Sequence, residues 1–354
     1  MRNSNTKHGH HRMRHGGGRV GGGTPAGDDA RTFGYLGPGR VQLPVNMMGF
    51  QQMADGRRLR TWTFGGGFNN DRSVPSPVIE GIEGQLMEVS LSSMMPHSIH
   101  FHGLDVDQRN DGVPSTSGYV GRGHGGGHGG GHGGGGHGGG HGGMDFGRVD
   151  GYESLGSSFT YRFIAPHAGT YAYHCHVDTV LHFEMGMYGT VIIRPPDGNP
   201  RVAWAGGPSF DKEYIWHLHT FDSSWHNEMV SSNRTVRHRP DYFMINGRDG
   251  DDLLNDPTTT IAGAPGDRIL IRTNNMGYQP AMVEFGGIPF DVIASDGRPL
   301  PTPFTTDQQL VAPGERYDLL IQLPYVGDWA AQVHYFGIGL RRQLGTATTS
   351  IVAL

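Results

Sequence analysis

Tyr173-His174-Cys175-His176-Val-Asp-Thr-Val-Leu-His182-Phe-Glu-Met-Gly-Met187 contains the one cysteine of a 354-residue chain. Two histidines flank that cysteine, and a third histidine and a methionine follow within twelve residues. A thiolate, imidazoles and a weak thioether together hold both Cu(I) and Cu(II), which is what a blue copper electron-transfer site requires. Zinc favours closed Cys/His tetrahedra without a thioether, so the methionine argues for copper. Met185 stands beside Met187 as an alternative axial ligand, the other then being core. The bland reading is a buried cysteine serving as a small hydrophobe, with each histidine satisfied within the core.

A further imidazole has to come from elsewhere, and Pro96-His97-Ser-Ile-His100-Phe-His102-Gly103 supplies candidates. Leu91 to Phe101 and Gly169 to Tyr173 are rich in β-branched, aromatic and alternating residues and read as strands, whose side chains alternate between faces. His174 and His176 then point one way and Cys175 the other, while His100 and His102 share a face. Two histidine pairs on adjacent strands converge on one metal cluster, with a separate copper behind them at Cys175. The Cys-His peptide links between the two sites are a short covalent path for single electrons.

His97-Ser-Ile-His-Phe-His-Gly, Asp111-Gly-Val-Pro, Phe159-Thr-Tyr-Arg-Phe and Gly169-Thr-Tyr-Ala-Tyr-His-Cys-His together resemble the first cupredoxin domain of a multicopper oxidase. The resemblance implies type 1 copper bound by His97, Cys175, His182 and Met187. It further implies that His100, His102, His174 and His176 are half of the ligands of a type 2/type 3 trinuclear copper cluster. Asp111 is the catalytic acid that carries over, delivering protons to reduced oxygen, with Asp105 and Asp107 as neighbouring candidates. The alternative for Asp111 is an ordinary Asp-Gly turn. The Cys175 to His182 interval is two residues longer than in common laccases. A histidine at position 97 belongs to the variant with blue copper in domain 1, which resembles two-domain oxidases and copper nitrite reductases.

The chain is long enough for two domains. Its net charge of −5 and lack of a basic run argue against nucleic acid as a partner. No apolar run of about 18 residues suggests a membrane span, and one cysteine excludes a disulfide framework. The first residues, Met1-Arg-Asn-Ser-Asn-Thr-Lys-His, contain no apolar signal core; a periplasmic or extracellular location is expected by resemblance alone. Residues 1–34, with His8, His10, His11 and His15, read as a disordered Gly/His-rich tail. Residues 121–143 space His124, His128, His132, His137 and His141 along glycine. That insertion is either a copper-gathering loop or a tolerated expansion.

The expected fold is all-β, two cupredoxin-like Greek-key β-sandwich domains: domain 1 over 35–196, a Pro/Gly-rich linker over 197–211, and domain 2 over 212–354. Domain 2 resembles the copper-free middle domain of three-domain oxidases. Where the family places its second HxH, this chain reads Tyr278-Gln-Pro-Ala-Met-Val-Glu-Phe-Gly, and where the second HCH stands it reads Ala331-Gln-Val-His334-Tyr. The resemblance therefore implies a homotrimer or a partner chain that completes the cluster. Substitution by His217, His219, His226, His238 or His334, or a smaller cluster, are the other repairs. The expected function is a laccase-like copper oxidoreductase that takes single electrons from a phenolic or metal-ion donor and reduces O2 to water. A blue copper electron carrier or copper-binding protein is the alternative, and a copper nitrite reductase-like enzyme the third.

Overall fold

The computed structural model describes residues 35–65, 74–122, 152–227, 237–254 and 256–354. The tail expected over 1–34 and residues 123–143 of the expected insertion lie outside the described residues. The first half of the chain folds as β1 (Tyr35–Leu36), β2 (Arg40–Gln52), β3 (Arg58–Phe64), β4 (Val78–Ile82), β5 (Leu86–Ser92), β6 (His100–His102), β7 (Ser158–Ile164), β8 (Gly169–His174) and β9 (Tyr188–Arg194). Two short helices interrupt it, α1 (Pro114–Ser117) and α2 (Thr179–Glu184). One sheet has the order β1-β4-β9-β8-β6 and the other β3-β2-β5-β7. Between them lies a core that includes Phe64, Val89, Phe101, Tyr161, Tyr173 and Cys175.

The second half forms β10 (Lys212–Phe221), helix α3 (Ser223–Asn227), β11 (Tyr242–Ile245), β12 (Ile261–Gly263), β13 (Arg268–Asn275), β14 (Ala281–Glu284), β15 (Phe290–Ser295) and β16 (Arg298–Thr306). It closes with β17 (Gln308–Val311), β18 (Arg316–Gln322), β19 (Gly327–Phe336) and β20 (Gln343–Ala353). The sheets β11-β10-β13-β18-β15-β16 and β12-β20-β19-β14-β17 enclose a second core around Trp216, Phe285, Val292 and Tyr335. The architecture is thus all-β, as the alternating segments predict.

Burial patterns say which faces meet. β5 alternates between buried and more exposed positions, as a strand with one face on a core should. β8 and β9 are buried at every residue and β10 at all but its first, because their second faces pack against the other sandwich. Ile192 and Val78 meet Ile215 there, and Tyr188 and Ala172 meet Met276.

The contact between sandwiches is also ionic. Arg194 donates to both carboxylate oxygens of Glu213 at 2.8 and 2.7 Å, Arg272 Nε donates to the same carboxylate at 2.6 Å, and Arg272 reaches Asp318 at 3.1 Å and Thr170 at 2.9 Å. Burial by itself would raise the Glu213 carboxyl, but the two guanidiniums outweigh it and hold the group at about 2. A pair of this kind costs desolvation on formation and far more when one partner is deleted.

One expected strand is corrected. Leu91 to Phe101 is not continuous: β5 ends at Ser92 in one sheet and β6 begins at His100 in the other. The residues between cross the sandwich, aided by Pro96, which has no N–H for a ladder. His97 is fixed in the crossing by paired backbone bonds with Val120.

Replacing Glu213 by Gln leaves two buried guanidiniums short of charge and should cost ~3–5 kcal/mol of stability at pH 7. Because the folded carboxyl lies below its ordinary value of 4.5, its contribution is present above that pH and lost as pH falls toward about 2. Urea midpoints measured from pH 7 down to 2 should therefore fall less steeply in Glu213→Gln than in the parent; parallel curves would contradict the assignment.

Candidate metal centres

β6 and β8 are antiparallel neighbours with His100 opposite His174 and His102 opposite Ala172. Alternation sends Phe101 and Tyr173 into the core and the histidines to the other face. The ring centroids of His100 and His174 lie 5.0 Å apart, and those of His102 and His174 5.4 Å apart. His102 Nδ1 is 3.2 Å from His174 Nε2. One ligand-type nitrogen from each of His100, His102 and His174 falls within 4.8 Å of the others. His176, past the end of the strand, stands off slightly, with its ring 5.3 Å from His100 and 5.9 Å from His174.

Backbone carbonyls fix which nitrogen of His100 and of His174 faces inward. A carbonyl can only accept, so the 2.8 Å contact of His100 Nδ1 with the Asp111 carbonyl and the 3.0 Å contact of His174 Nδ1 with the Cys175 carbonyl place protons on those nitrogens. The Nε2 atoms are left as lone-pair donors. Asp111 also sets carboxylate Oδ1 3.2 Å from His100 Nδ1. The turn carrying it docks tightly: Gly112 has φ +77°, and a Cβ there would lie 1.6 Å from the Ile99 carbonyl oxygen. No other residue fits that approach.

On the opposite side, Cys175 is fully buried. His182 Nδ1 lies 3.0 Å and His97 Nδ1 3.5 Å from its sulfur. The helix α2, which accounts for the long interval between Cys175 and His182, carries the latter inward. Met187 is fully buried, and its backbone accepts from Cys175 N–H at 3.1 Å and donates to the His182 carbonyl at 2.9 Å. Met185 is buried as well, but its backbone is tied to Trp62 and Leu181.

Burial pushes the Cys175 thiol up to about 12. It pulls His97 and His174 well below the ordinary imidazole value, aided by His182 and His100 respectively. Burial and then the Arg316 guanidinium bring His102 down to about 4, and burial followed by His100 lowers His176. Neutral imidazole is the ligating form, and a metal replaces the thiol proton. Ligand atoms of His97, Cys175 and His182 lie within 4.8 Å of one another, and Met185 and Met187 are buried in the same core, so the donor set fits copper.

The histidines considered as substitutes in the second sandwich lie elsewhere. The rings of His217 and His219 pack on Tyr188 at 4.7 and 4.5 Å. His226 Nε2 and His238 Nε2 address the fully buried Glu184 at 3.3 and 2.9 Å, and His334 faces Glu284 at 3.5 Å. The group beside the first histidine set is Arg316, packed against Gly103. Sequence reading missed Glu184, which also accepts from Asp222 N–H at 2.6 Å and so ties α2 to the second sandwich. Burial would raise its carboxyl, yet His226 and His238 hold it at about 2. Its partners lie 38 to 54 residues away, and no local signal marks it.

Residues 143–198 and 216–353 match two family models, each described as multicopper oxidase, which together cover more than half of the chain. The chain belongs to the multicopper oxidase family. It is 26% identical over 208 residues to a copper-containing nitrite reductase of Neisseria meningitidis, covering 56% of this chain and 40% of that protein. The multicopper oxidase MmcO of Mycobacterium tuberculosis is 24% identical over 274 residues, 70% of this chain and 46% of that protein. The chain thus spans less than half of the length of these relatives. A blue copper oxidase from Nitrosomonas europaea has a similar structure, with a TM-score of 0.66 and 25% identity over 89% of this chain and 85% of that one.

Loading the protein with copper should raise its melting temperature, because a ligand that binds only the folded state stabilises it by about 2.7 kcal/mol at 100 times its Kd. Cys175→Ser should abolish the intense visible thiolate-to-copper band and shrink that rise. A Cys175→Ser protein that keeps the band would overturn the placement of the sulfur ligand.

Proposed function

We propose that this chain is a copper-dependent oxidoreductase of the laccase-like type, taking single electrons from a phenolic or metal-ion donor and reducing O2 to water. The observation that carries the reading is Cys175, whose sulfur lies between the Nδ1 atoms of His97 and His182 while its peptide neighbours His174 and His176 stand with His100. On this proposal His97, Cys175, His182 and Met187 hold type 1 copper, and His100, His102, His174 and His176 are half of the ligands of a type 2/type 3 cluster. Copper supplies one-electron exchange with the donor at the first site and oxygen reduction at the second.

The chain's residues do the rest. Trp62 packs edge-on against His182 at 5.3 Å and, with the surrounding core, excludes water from the sulfur. The peptide bonds on either side of Cys175 join the two sites covalently. Asp111, partly exposed, sets its carboxylate between solvent and His100, where it is placed to relay protons toward the cluster. His100, His102 and His176 are only half-buried, and the second sandwich brings Arg316 to them in place of histidines. We therefore assign the missing ligands to another copy in a homotrimer or to a partner chain.

The division into a copper-bearing unit over 35–196, a linker over 197–211 and a copper-poor unit over 212–354 belongs to this proposal, as does a periplasmic or extracellular location. Among the described residues no helix is long and apolar enough to cross a membrane. A second reading, reduction of nitrite at a mononuclear site, is favoured by the grouping of three histidine nitrogens within 4.8 Å and by relatives named nitrite reductases.

Oxygen uptake and nitrite consumption by copper-loaded protein, with a phenolic donor, separate the readings. Uptake of oxygen that is lost in His100→Ala and His176→Ala while the visible band survives is the expected result, and Asp111→Asn should slow it by about 10²–10⁴-fold. Nitrite consumption without oxygen uptake selects the second reading. Neither activity would leave a blue copper carrier.

A further inference from the structure

The pocket bounded by residues 237–240 and 337–344 of the second sandwich has a charge opposite to that of the whole chain. Its volume is about 770 Å³, within the range of small-molecule sites. Arg237, Arg239 and Arg342 line it, and none of the three guanidiniums is paired with a carboxylate among the described residues. No acidic residue is in the described lining, although the chain as a whole has a net charge of −5. Three like charges in one concavity focus a positive potential and raise the local concentration of anions. Arginine suits this task, since its planar fork meets a carboxylate bidentately. Part of the remaining wall is apolar: Ile338, 92% exposed, and Leu344 both line it.

His238 also lines the pocket, and its surroundings link it to helix α2, which carries His182. Gln279 donates to His238 Nδ1 at 3.3 Å, which leaves Nε2 to donate to Glu184 at 2.9 Å. Glu184 ends α2, two residues after His182. Trp225 and Tyr278 stand edge-on to the His238 ring at 5.6 and 5.1 Å, and the Tyr278 hydroxyl donates to the Val180 carbonyl on α2. A molecule held by the arginines therefore rests one imidazole and one carboxylate from the helix that carries a proposed type 1 ligand.

We propose that this pocket binds small aromatic carboxylates, the acid group on Arg237, Arg239 and Arg342 and the ring against Ile338 and Leu344. The reducing donor is accordingly an anionic phenol in preference to a neutral one. This identity as a donor rests on the oxidase reading; the binding site itself does not.

Two measurements with one pair of probes, 4-hydroxy-3-methoxybenzoate and its methyl ester, test the proposal. Equilibrium binding to the full chain, copper-free and copper-loaded, is followed by tryptophan fluorescence or calorimetry. The acid should bind at least about tenfold more tightly than the ester, as one charge-assisted hydrogen bond of about 1.5 kcal/mol implies. Arg237→Gln/Arg239→Gln/Arg342→Gln should erase that preference and leave ester binding unchanged. In oxygen uptake by the loaded protein, kcat/KM for the acid should fall by the same factor in the triple variant, through KM, with the ester unaffected. Equal binding of acid and ester to the parent, or undiminished binding of the acid by the triple variant, overturns the pocket assignment even if oxygen is consumed. A charge-dependent binding preference with no turnover of either probe supports the anion pocket and counts against the oxidase reading alone.

Discussion

A buried thiol set 3.0 and 3.5 Å from two buried imidazole nitrogens is the contact on which the first sandwich depends. Burying polar groups is costly when nothing compensates them, and here burial opposes the charged form of both the thiol and His97. Three separate pieces of chain meet to build this arrangement: the crossing that carries His97, the end of β8 and the helix α2. A metal cation turns a desolvated cluster of lone pairs into a set of bonds, so binding energy becomes folding energy. The fold supplies the rigidity that a soft metal site needs, since Met187 is hydrogen-bonded through its backbone to both Cys175 and His182.

The second sandwich acts on that centre from outside. Its inner sheet buries β8 and β9 from behind, and Arg194, Glu213, Arg272 and Asp318 hold the two sandwiches in register. Bidentate guanidinium-carboxylate pairs fix orientation as well as distance, which hydrophobic contact alone does not. Glu184 extends the same logic to α2, since its carboxylate receives Asp222, His226 and His238 from the second sandwich. The second sandwich thereby positions helix α2, which carries His182.

Much of the candidate site was legible in the sequence because its information is local. Cys175 between two histidines, and His100 and His102 two residues apart, need only strand alternation to define two faces, and β6 pairs with β8 as that alternation requires. The break between β5 and β6 was not legible, because Met94, Met95 and Ile99 preserve an apolar texture across residues that cross between sheets. Glu184 was equally silent, being one acid in a ligand loop whose partners arrive from the other sandwich. Arg316 beside His102 depends on how the sandwiches dock, and no spacing within either half encodes that.

Copper per chain, counted by mass spectrometry together with paramagnetic resonance on the loaded full-length protein and on His102→Ala/His174→Ala, tests the two-site proposal most directly. The comparison cancels copper held by histidines elsewhere in the chain. The variant should lose at least one copper per chain and its non-blue signal, with the visible thiolate band retained. Equal copper content and identical spectra in parent and variant would contradict a second centre at these histidines and leave Cys175 with the chain's one organised copper.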